Sequence, residues 1–385
     1  MNDRTIVIIG SGLAGYTLAR EIRKLDRDTA ITMVSQDHGA VYSKPKLSTA
    51  LADKKTPEAL VMKAASQMAD ELGMRVLPNW AVTGIDRESK SILLEGGERL
   101  AYRDLVLALG ADPIRLHMAG NAVSQVLSVN DLDDYRHFRQ RLERSSSVVI
   151  LGAGLIGCEF ANDMAAQGIQ VTVIDPQGWP MARLLPEQPG CFLQARLEAA
   201  GVRFFLDNSV ECIDQVSGKP SQLTLKNGDV MAADVVLSAV GLRPRTQLAE
   251  DAGLRVNRGI VVDRYLATSD PHVYGLGDCI QLADFCLPYV MPIMRQARAL
   301  AATLCGTATQ VVYPAMPIVV KTPACPTVVC PAPASENGEW ATTLSEQGCE
   351  SLLQDAQGRT IGFALLGQET SRWQKLAATL PDWLA

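Results

Sequence analysis

Two glycine-rich loops have the residue types and spacing most suggestive of chemistry in this chain. Each reads G-x-G-x-x-G, directly after a short apolar strand pattern and directly before a helical pattern. The glycines are Gly10, Gly12 and Gly15 in the first loop and Gly152, Gly154 and Gly157 in the second. The first glycine of such a loop permits a tight turn, the second lets the backbone approach a phosphate, and the third lets the helix pack on the strand. The helix N-terminus adds unpaired N–H groups and a partial positive charge. The sequence therefore predicts a pyrophosphate cradle for a dinucleotide in each half of the chain.

The end of the strand after the second loop predicts which dinucleotide binds there. This strand ends VTVID, so that Asp175 lies eighteen residues beyond Gly157. A carboxylate in this place accepts hydrogen bonds from both ribose hydroxyls and repels a 2′-phosphate. No arginine follows before Arg183. The pattern favours NADH over NADPH, although Asp175 also suits an ordinary turn before Pro176.

The corresponding strand of the first half ends MVSQD, which displaces the expected acid. Ser35 and Gln36 occupy the ribose-facing positions, and Asp37 follows them. Serine and glutamine can both hydrogen-bond a ribose hydroxyl. The first site is therefore retained, and the sequence leaves open which of the three residues binds the ribose.

The apolar periodicity around the loops predicts one order of elements twice. The predicted strand, helix and strand cover 5–9, 13–24 and 31–34 in the first half and 148–151, 155–167 and 169–174 in the second. Each half then closes with a strand and a glycine, Gly110 and Gly241, which we assign to the two dinucleotide sites. This internal repeat predicts two nucleotide-binding domains of common design.

Composition excludes several classes of protein. The chain has 385 residues, a net charge of -6 and 47% hydrophobic residues, with no long run of one charge, which argues against a nucleic-acid binder. No apolar run reaches the eighteen residues of a spanning helix, so we expect no membrane insertion. The nine cysteines are odd in number and lack paired spacing, which favours the cytoplasm. Cys325 and Cys330 lack the second pair that a four-thiolate metal site needs, so we expect no metal.

A late motif, YGLGDC at 274–279, extends the pattern. Gly275 and Gly277 should bring a helix N-terminus close, and Asp278 can accept a hydrogen bond from a polyol chain. With the two loops and DVVLSAVGLRP, this motif resembles the two-dinucleotide-binding flavoprotein reductases. VYSKPKLS at 41–48 resembles a segment of the NAD-linked reductases of rubredoxin, flavorubredoxin and ferredoxin. LPYVMPI at 287–293 and VVKTPACP at 319–326 most resemble the rubredoxin and flavorubredoxin branch. The resemblance implies FAD in the first domain and NADH in the second.

The same resemblance implies a fold and a division into domains. The fold class is α/β, with two Rossmann-like, doubly wound, three-layer domains of glutathione-reductase type and a small C-terminal α+β domain. The FAD domain would comprise residues 1–112 and 243–316, the NAD domain 113–242 and the C-terminal domain 317–385. We predict C-terminal strands at 318–320, 340–344 and 359–366. An apolar stripe in the tail should pack on the domain core and not on a membrane.

The resemblance also assigns roles to individual residues. The FAD pyrophosphate would be contacted by Ser11, Gly12, Leu13 and Ala14, the adenosine ribose by Ser35 and Gln36, and the adenine by Val82. Lys44 would lie beside the cofactor. Its ribityl chain and ring end would be contacted by Asp278 and Val290, and the isoalloxazine by Lys321. Glu159 would lie where nicotinamide meets flavin. From residue type alone, the lysines and Glu159 also suit a solvated surface and the valines a core, although the apolar neighbours of Lys321 favour a buried or site role for it.

The region after the second strand, QDHGAVYSKPKLS, contains no cysteine. Disulfide reductases of this superfamily carry a cysteine pair there, so we expect electrons to leave the flavin directly. A one-electron iron carrier suits this path, with rubredoxin favoured and a terminal oxidase or alkane hydroxylase beyond it. Ferredoxin, flavorubredoxin or quinone as acceptor, and an NADH-sensing flavoprotein, stay open as alternatives. We nominate no catalytic side chain, because hydride transfer needs no protein acid or base.

Overall fold

The structure, a computed structural model, describes residues 5–333 and 336–384. The first part of the chain forms a parallel sheet with helices and small antiparallel sheets around it. Its elements are β1 (Ile6–Ile9), α1 (Leu13–Leu25), β2 (Ile31–Val34), β3 (Val41–Tyr42), α2 (Pro57–Leu60), β4 (Val61–Lys63), α3 (Ala65–Leu72), β5 (Arg75–Leu77), β6 (Val82–Asp86), β7 (Ser91–Leu94), β8 (Arg99–Ala101), β9 (Asp104–Leu107) and β10 (Ala111–Pro113). A 3₁₀ segment, Lys44–Thr49, lies between β3 and α2.

The second part repeats this plan. Its elements are α4 (Leu132–Leu142), β11 (Ser147–Leu151), α5 (Leu155–Ala165), β12 (Gln170–Ile174), α6 (Glu187–Ala199), β13 (Val202–Phe205), β14 (Val210–Asp214), β15 (Ser221–Leu225), β16 (Val230–Ala233) and β17 (Val235–Ser238). The parallel sheet has the order β13-β12-β11-β17, and β14-β15-β16 form an antiparallel sheet beside it. Helix α5 ends two residues before the predicted position 167, because Gly168 adopts a φ of +77° and the chain turns.

The chain then returns to the first sheet. The returning elements are β18 (Leu242–Pro244), α7 (Gln247–Asp251), β19 (Ile260–Val262), β20 (Val273–Gly275), β21 (Ile280–Leu282) and α8 (Val290–Leu304). Strand β20 pairs in parallel with β9, which gives the order β20-β9-β1-β2-β5. The sequence of β1 is IVII and all four residues are buried, as expected for a central strand covered on both faces.

The last part of the chain folds into a separate antiparallel sheet. Its elements are β22 (Ile318–Val320), β23 (Thr327–Cys330), β24 (Glu339–Leu344), β25 (Gly348–Gln354), β26 (Thr360–Gly367) and α9 (Trp373–Ala377), and the sheet order is β22-β23-β26-β25-β24. Each of the three predicted strands is present to within one residue at either end. The sequence missed β23, a four-residue strand between prolines, and β25, whose GCESLLQ pattern mixes polar and apolar residues.

The apolar stripe of the C-terminal tail packs inward, as predicted. Trp373, Leu376 and Leu380 lie in one cluster with Phe363 and Leu365 of β26. Within the described residues, no helix is both long enough and apolar enough to cross a membrane. The tail therefore closes the core of the last sheet.

Candidate active site

The first glycine loop has room for a ligand at one position and none at the others. A Cβ on Gly10 would lie 2.2 Å from the carbonyl oxygen of Ala108, and one on Gly15 would lie 1.9 Å from that of Gly10. A Cβ on Gly12 would meet no atom within 4 Å. Gly12 is the N-cap of α1 and supplies no side-chain cap, so the amides of the first turn, including those of Leu13 and Ala14, face this open space. The loop thus has the form of an anion cradle.

The second loop has the same form. A Cβ on Gly152 would lie 2.8 Å from the carbonyl oxygen of Ala239, and one on Gly157 would lie 1.9 Å from that of Gly152. Gly154, the N-cap of α5, again faces open space, and a Cβ added there would meet no atom within 4 Å. The two loops therefore share one backbone form, open only at the middle glycine.

Polar side chains brace the first cradle from the end of β2. The hydroxyls of Ser11 and Ser35 lie 2.6 Å apart, and both also reach Oδ1 of Asp37, at 3.0 and 2.6 Å. The amide of Gly39 donates to the same oxygen at 2.8 Å. Ser35 is buried, whereas Gln36 and Asp37 are exposed. Asp37, which the sequence left as one of three candidates, thus organises the polar end of this strand.

Asp175 braces the second cradle more directly. One carboxylate oxygen accepts the amide of Ala153 inside the loop at 2.6 Å, and the other accepts the amide of Gln177 at 2.8 Å. The residue is half-buried at the end of β12, and Arg183 is exposed. The carboxylate therefore stands at the cradle's edge, where sequence reasoning expects the ribose.

The late glycine motif lies against the first cradle. A Cβ on Gly277 would lie 2.9 Å from Cβ of Ala14, in the first turn of α1, and the Gly277 amide donates to Oε1 of Gln296 at 2.7 Å. The helix N-terminus expected near this motif is therefore that of α1. Strand β21, and not a helix, follows the motif.

Asp278 and Lys44 face each other from two segments of the first domain. Burial raises the pKa of Asp278, and the nearby Lys44 opposes this effect. Burial lowers the pKa of Lys44, and Asp278 opposes that effect in turn. Oδ1 of Asp278 is buried and has no hydrogen-bond partner among the described residues. A polar ligand between them would satisfy both groups.

Three segments distant in sequence meet at Glu159. This residue of α5 is fully buried, and its carboxylate lies 2.7 Å from Nζ of Lys321, just after β22. The Ser48 hydroxyl, in the 3₁₀ segment, donates to the same carboxylate at 2.5 Å. Nζ of Lys321 also donates to Ser48 Oγ at 2.9 Å and to the carbonyl of Pro45. The three N–H groups of this ammonium thus all have protein acceptors, and Glu159 is not a solvated helix residue.

The remaining predicted residues surround these groups. Val82 begins β6 and is half-buried against the first core. Val290 begins α8 with 42% of its surface exposed. Gly110 and Gly241 follow β9 and β17 and adopt φ values of +71° and +117°. Sequence reasoning missed Ser48 as a site residue, although it lies within the quoted motif VYSKPKLS.

The cysteines form no redox pair beside the first cradle. Cys158, the first in the chain, is buried in α5, and burial raises the pKa of its thiol. Cys330 is buried in β23 and Cys325 is buried just before this strand, and burial raises the pKa of Cys330 to about 12. No group of three or more histidine, cysteine or acidic side chains among the described residues could hold a metal.

Comparison with known proteins agrees with this architecture. Residues 4–302 match the family described as pyridine nucleotide-disulphide oxidoreductase. The chain belongs to this family. Residues 310–380, which include the last sheet, match the family described as rubredoxin binding C-terminal domain. The predicted resemblance to two-dinucleotide-binding reductases is thereby confirmed.

Full-length relatives of this oxidoreductase are known from several bacteria. The chain is 45% identical to rubredoxin-NAD(+) reductase of Acinetobacter baylyi and 43% identical to the protein of that name from Alcanivorax borkumensis, with 98% of each chain covered. It is 36% identical to nitric oxide reductase FlRd-NAD(+) reductase of Aeromonas hydrophila, over 98% of this chain and 97% of that one.

Solved structures confirm the predicted fold class. The ferredoxin reductase of Rhodopseudomonas palustris superposes with a TM-score of 0.89 at 27% identity, over 99% of this chain and 96% of that one. Putidaredoxin reductase in its covalent complex with putidaredoxin gives a TM-score of 0.89 at 25% identity, over 98% and 94% of the two chains. The α/β architecture with a small C-terminal domain is thus shared across the family.

Proposed function

We propose that this oxidoreductase passes electrons from NADH, through FAD, to rubredoxin. The observation that carries the proposal is the junction at Glu159, where α5 of the second cradle and the 3₁₀ segment of the first domain meet Lys321 of the rubredoxin-binding-like domain. Two dinucleotide cradles and a carrier-binding domain thus share one point of contact. The relatives named rubredoxin-NAD(+) reductase support the choice of carrier.

The first domain is proposed to hold FAD. The open face of Gly12 suits the pyrophosphate, and the unpartnered oxygen of Asp278 suits a hydroxyl of the ribityl chain. Lys44 would lie along the same chain, and Ser35, Gln36 or Asp37 would reach the adenosine ribose. FAD, when bound, converts a two-electron transfer from NADH into single-electron transfers to a carrier.

The second domain is proposed to hold NADH. The amides at the N-terminus of α5 would bind its pyrophosphate, and Asp175 its adenosine ribose. Glu159 and Lys321 would border the nicotinamide. This ion pair joins three segments, with Glu159 fully buried and the Lys321 side chain 31% exposed, and it would hold the borders of the two dinucleotide sites in place. No acid or base among these residues is required for hydride transfer.

The carrier is proposed to dock in the cytoplasm against the last domain and the flavin edge. The described cysteines are all free thiols, which supports a reducing compartment. From rubredoxin, electrons would continue to a terminal oxidase or an alkane hydroxylase.

Anaerobic mixing of the purified flavoprotein, NADH and oxidised rubredoxin tests this function. We expect bleaching of the rubredoxin iron–thiolate absorbance, with two rubredoxins reduced per NADH consumed. A turnover with rubredoxin no faster than with a small dye would contradict the proposal. Flavorubredoxin is the second candidate acceptor, because a relative named FlRd-NAD(+) reductase covers nearly the whole chain. Side-by-side kcat/KM values for the two carriers, and for ferredoxin, decide between them.

A further inference from the structure

Helix α5 carries three buried polar side chains in an otherwise apolar sequence. Glu159, Asn162 and Asp163 are 0%, 6% and 3% exposed. Their spacing of i, i+3 and i+4 places them along one side of the helix. Buried polar groups need partners, and these three find them in two segments that are distant in the sequence, 48–52 and 321–324. The contacts of Asn162 and Asp163 are not part of either cradle.

Asp163 holds the segment that follows the 3₁₀ turn of the first domain. Its Oδ2 accepts the amide of Leu51 at 3.0 Å, and its Oδ1 accepts the amide of Ala52 at 3.1 Å. The same segment, 44–52, carries Lys44 and Ser48, which lie at the cofactor site. Asp163 therefore fixes the position of these two residues relative to α5.

Asn162 holds the last domain instead. Its Oδ1 accepts the amide of Ala324 at 3.0 Å. Ala324 follows Lys321 by three residues, so the contact fixes segment 321–324 against the helix. Glu159, one turn earlier, touches both segments, whereas Asn162 and Asp163 each hold only one of them.

The helix joins these contacts to the second cradle. Asp163 lies six residues beyond Gly157, which is about 9 Å along an α-helix at its usual rise per residue. Neither Asn162 nor Asp163 is therefore a ligand of a dinucleotide bound at the helix N-terminus. A rigid helix between cradle and contacts nonetheless sets where segments 44–52 and 321–324 lie relative to that dinucleotide.

We propose that Asp163 and Asn162 are positioning residues that serve different half-reactions. Asp163 aligns the FAD-side segment with the NADH cradle and so governs transfer from NADH to the flavin. Asn162 aligns the last domain with the helix and so governs delivery to the carrier. The proposal rests on the proposed function and goes beyond it by assigning each of the two electron-transfer steps to a different one of two neighbouring side chains.

The test compares Asp163→Asn with Asn162→Ser in the FAD-loaded protein by stopped flow. The asparagine keeps the shape of Asp163 but presents an NH₂ group to one of the two amides, so one acceptor bond is lost. We expect Asp163→Asn to slow flavin reduction by NADH about tenfold or more, since misplacement of reacting groups by 1 Å can cost up to about 100-fold. The KM for NADH should stay within about twofold, because the cradle is untouched. The long-wavelength charge-transfer absorbance of the nicotinamide–flavin pair should weaken.

The matched variant should show the opposite pattern. For Asn162→Ser, flavin reduction by NADH and the charge-transfer absorbance should stay close to wild-type values, because Lys321 keeps its own contacts to Glu159, Ser48 and Pro45. Oxidation of the photoreduced flavoprotein by rubredoxin should slow severalfold, and Asp163→Asn should leave this step unchanged. Equal losses in both steps for both variants, or a fall in melting temperature alone, would overturn the division of roles.

Hydrogen exchange of the wild-type protein adds a test that needs no variant. Ala52 is exposed, yet its amide and that of Leu51 should be protected because both bond to Asp163. Rapid exchange at both amides would overturn the role of Asp163.

The two proposals can fail independently. Flavin reduction by NADH is measured without any carrier, so a failure of rubredoxin as acceptor would refute the proposed function without affecting the result for Asp163.

Discussion

The two glycine loops share a backbone and differ in how it is braced. In the second loop a single carboxylate, Asp175, accepts an amide of the loop itself. In the first loop the residue at the corresponding strand end is Ser35, and the brace runs from the Ser11 hydroxyl to Asp37, two residues further on. The backbone cradle is thus common to both domains, whereas the side chains beyond it differ. Ligand identity should therefore follow the strand end and its surroundings, and not the glycines.

Substitution of the open glycine in each loop gives the largest expected effect. Gly12→Ala and Gly154→Ala introduce a Cβ that meets no protein atom within 4 Å, so both variants should fold. Each methyl group occupies the phosphate approach, and we expect at least about 100-fold weaker binding of the dinucleotide concerned. Gly12→Ala should yield colourless protein, and Gly154→Ala yellow protein with a raised KM for NADH. Loss of flavin from both variants would show that the two loops do not bind FAD and NADH separately.

Helix α5, which follows the second loop, should make the stability of the protein depend on pH. Helix α5 carries the buried Asp163, whose pKa burial raises from 3.8 to about 6; Asp53 adds to the rise, and Lys321 and the amides of Leu51 and Ala52 oppose it. Glu159 lies one turn before it and Tyr135 packs nearby. The folded protein binds this proton more tightly than the unfolded chain does. The resulting contribution to the free energy of unfolding is fully present below pH 3.8 and is lost as the pH rises through about 6.

Asp163→Asn should remove that pH dependence. Relative to the wild type, its free energy of unfolding should increase between pH 4 and pH 7, so that the variant becomes the more stable protein by up to about 3 kcal/mol, at about 1.4 kcal/mol per pKa unit. Urea unfolding of both proteins across this range measures the difference. A difference that does not change with pH would mean that Asp163 ionises as an exposed carboxyl does.

Exchange of the strand-end residues sharpens the comparison further. Asp175→Ser gives the second loop the residue type found in the first, and removes both the brace to Ala153 and the charge that repels a 2′-phosphate. We expect the preference for NADH over NADPH to fall about 30-fold, as the ratio of the two kcat/KM values. Ser35→Ala, the matched change in the first loop, should leave this ratio unaltered. An unchanged ratio in Asp175→Ser would mean that Asp175 only stabilises the turn before Pro176 and does not contact the ribose.

The smallest expected effect concerns the late motif that completes only the first cradle. Asp278→Asn replaces a buried carboxylate, one oxygen of which has no partner, with a neutral group. Without FAD the variant should be more stable by about 1 kcal/mol, because less charge is desolvated. It should bind FAD about tenfold more weakly. Thermal unfolding of the apoprotein and flavin fluorescence titration measure the two effects, and a destabilised apoprotein would argue against an unsatisfied carboxylate.

Local patterns in the sequence predicted much of the fold. The boundaries of β2 and β22 match the predicted ones because short apolar runs between polar turns leave little freedom. Strands β23 and β25 escaped prediction because their pairing partners, and not their own periodicity, stabilise them. The resemblance to the flavoprotein reductases was correct because its motifs are short and local, so that residues adjacent along the chain were enough to recognise them.

By itself, the sequence determined the two cradles, the acid at Asp175 and the absence of a cysteine pair after β2, since each depends on residues adjacent along the chain. Only the tertiary structure decided that Glu159 is buried against Lys321 and Ser48, residues 162 and 111 positions away. It also decided that Asn162 and Asp163 hold two different domains. The physical reason is that whether a charged side chain is solvated or buried depends on what packs over it, and the segments that cover α5 come from the two far ends of the chain.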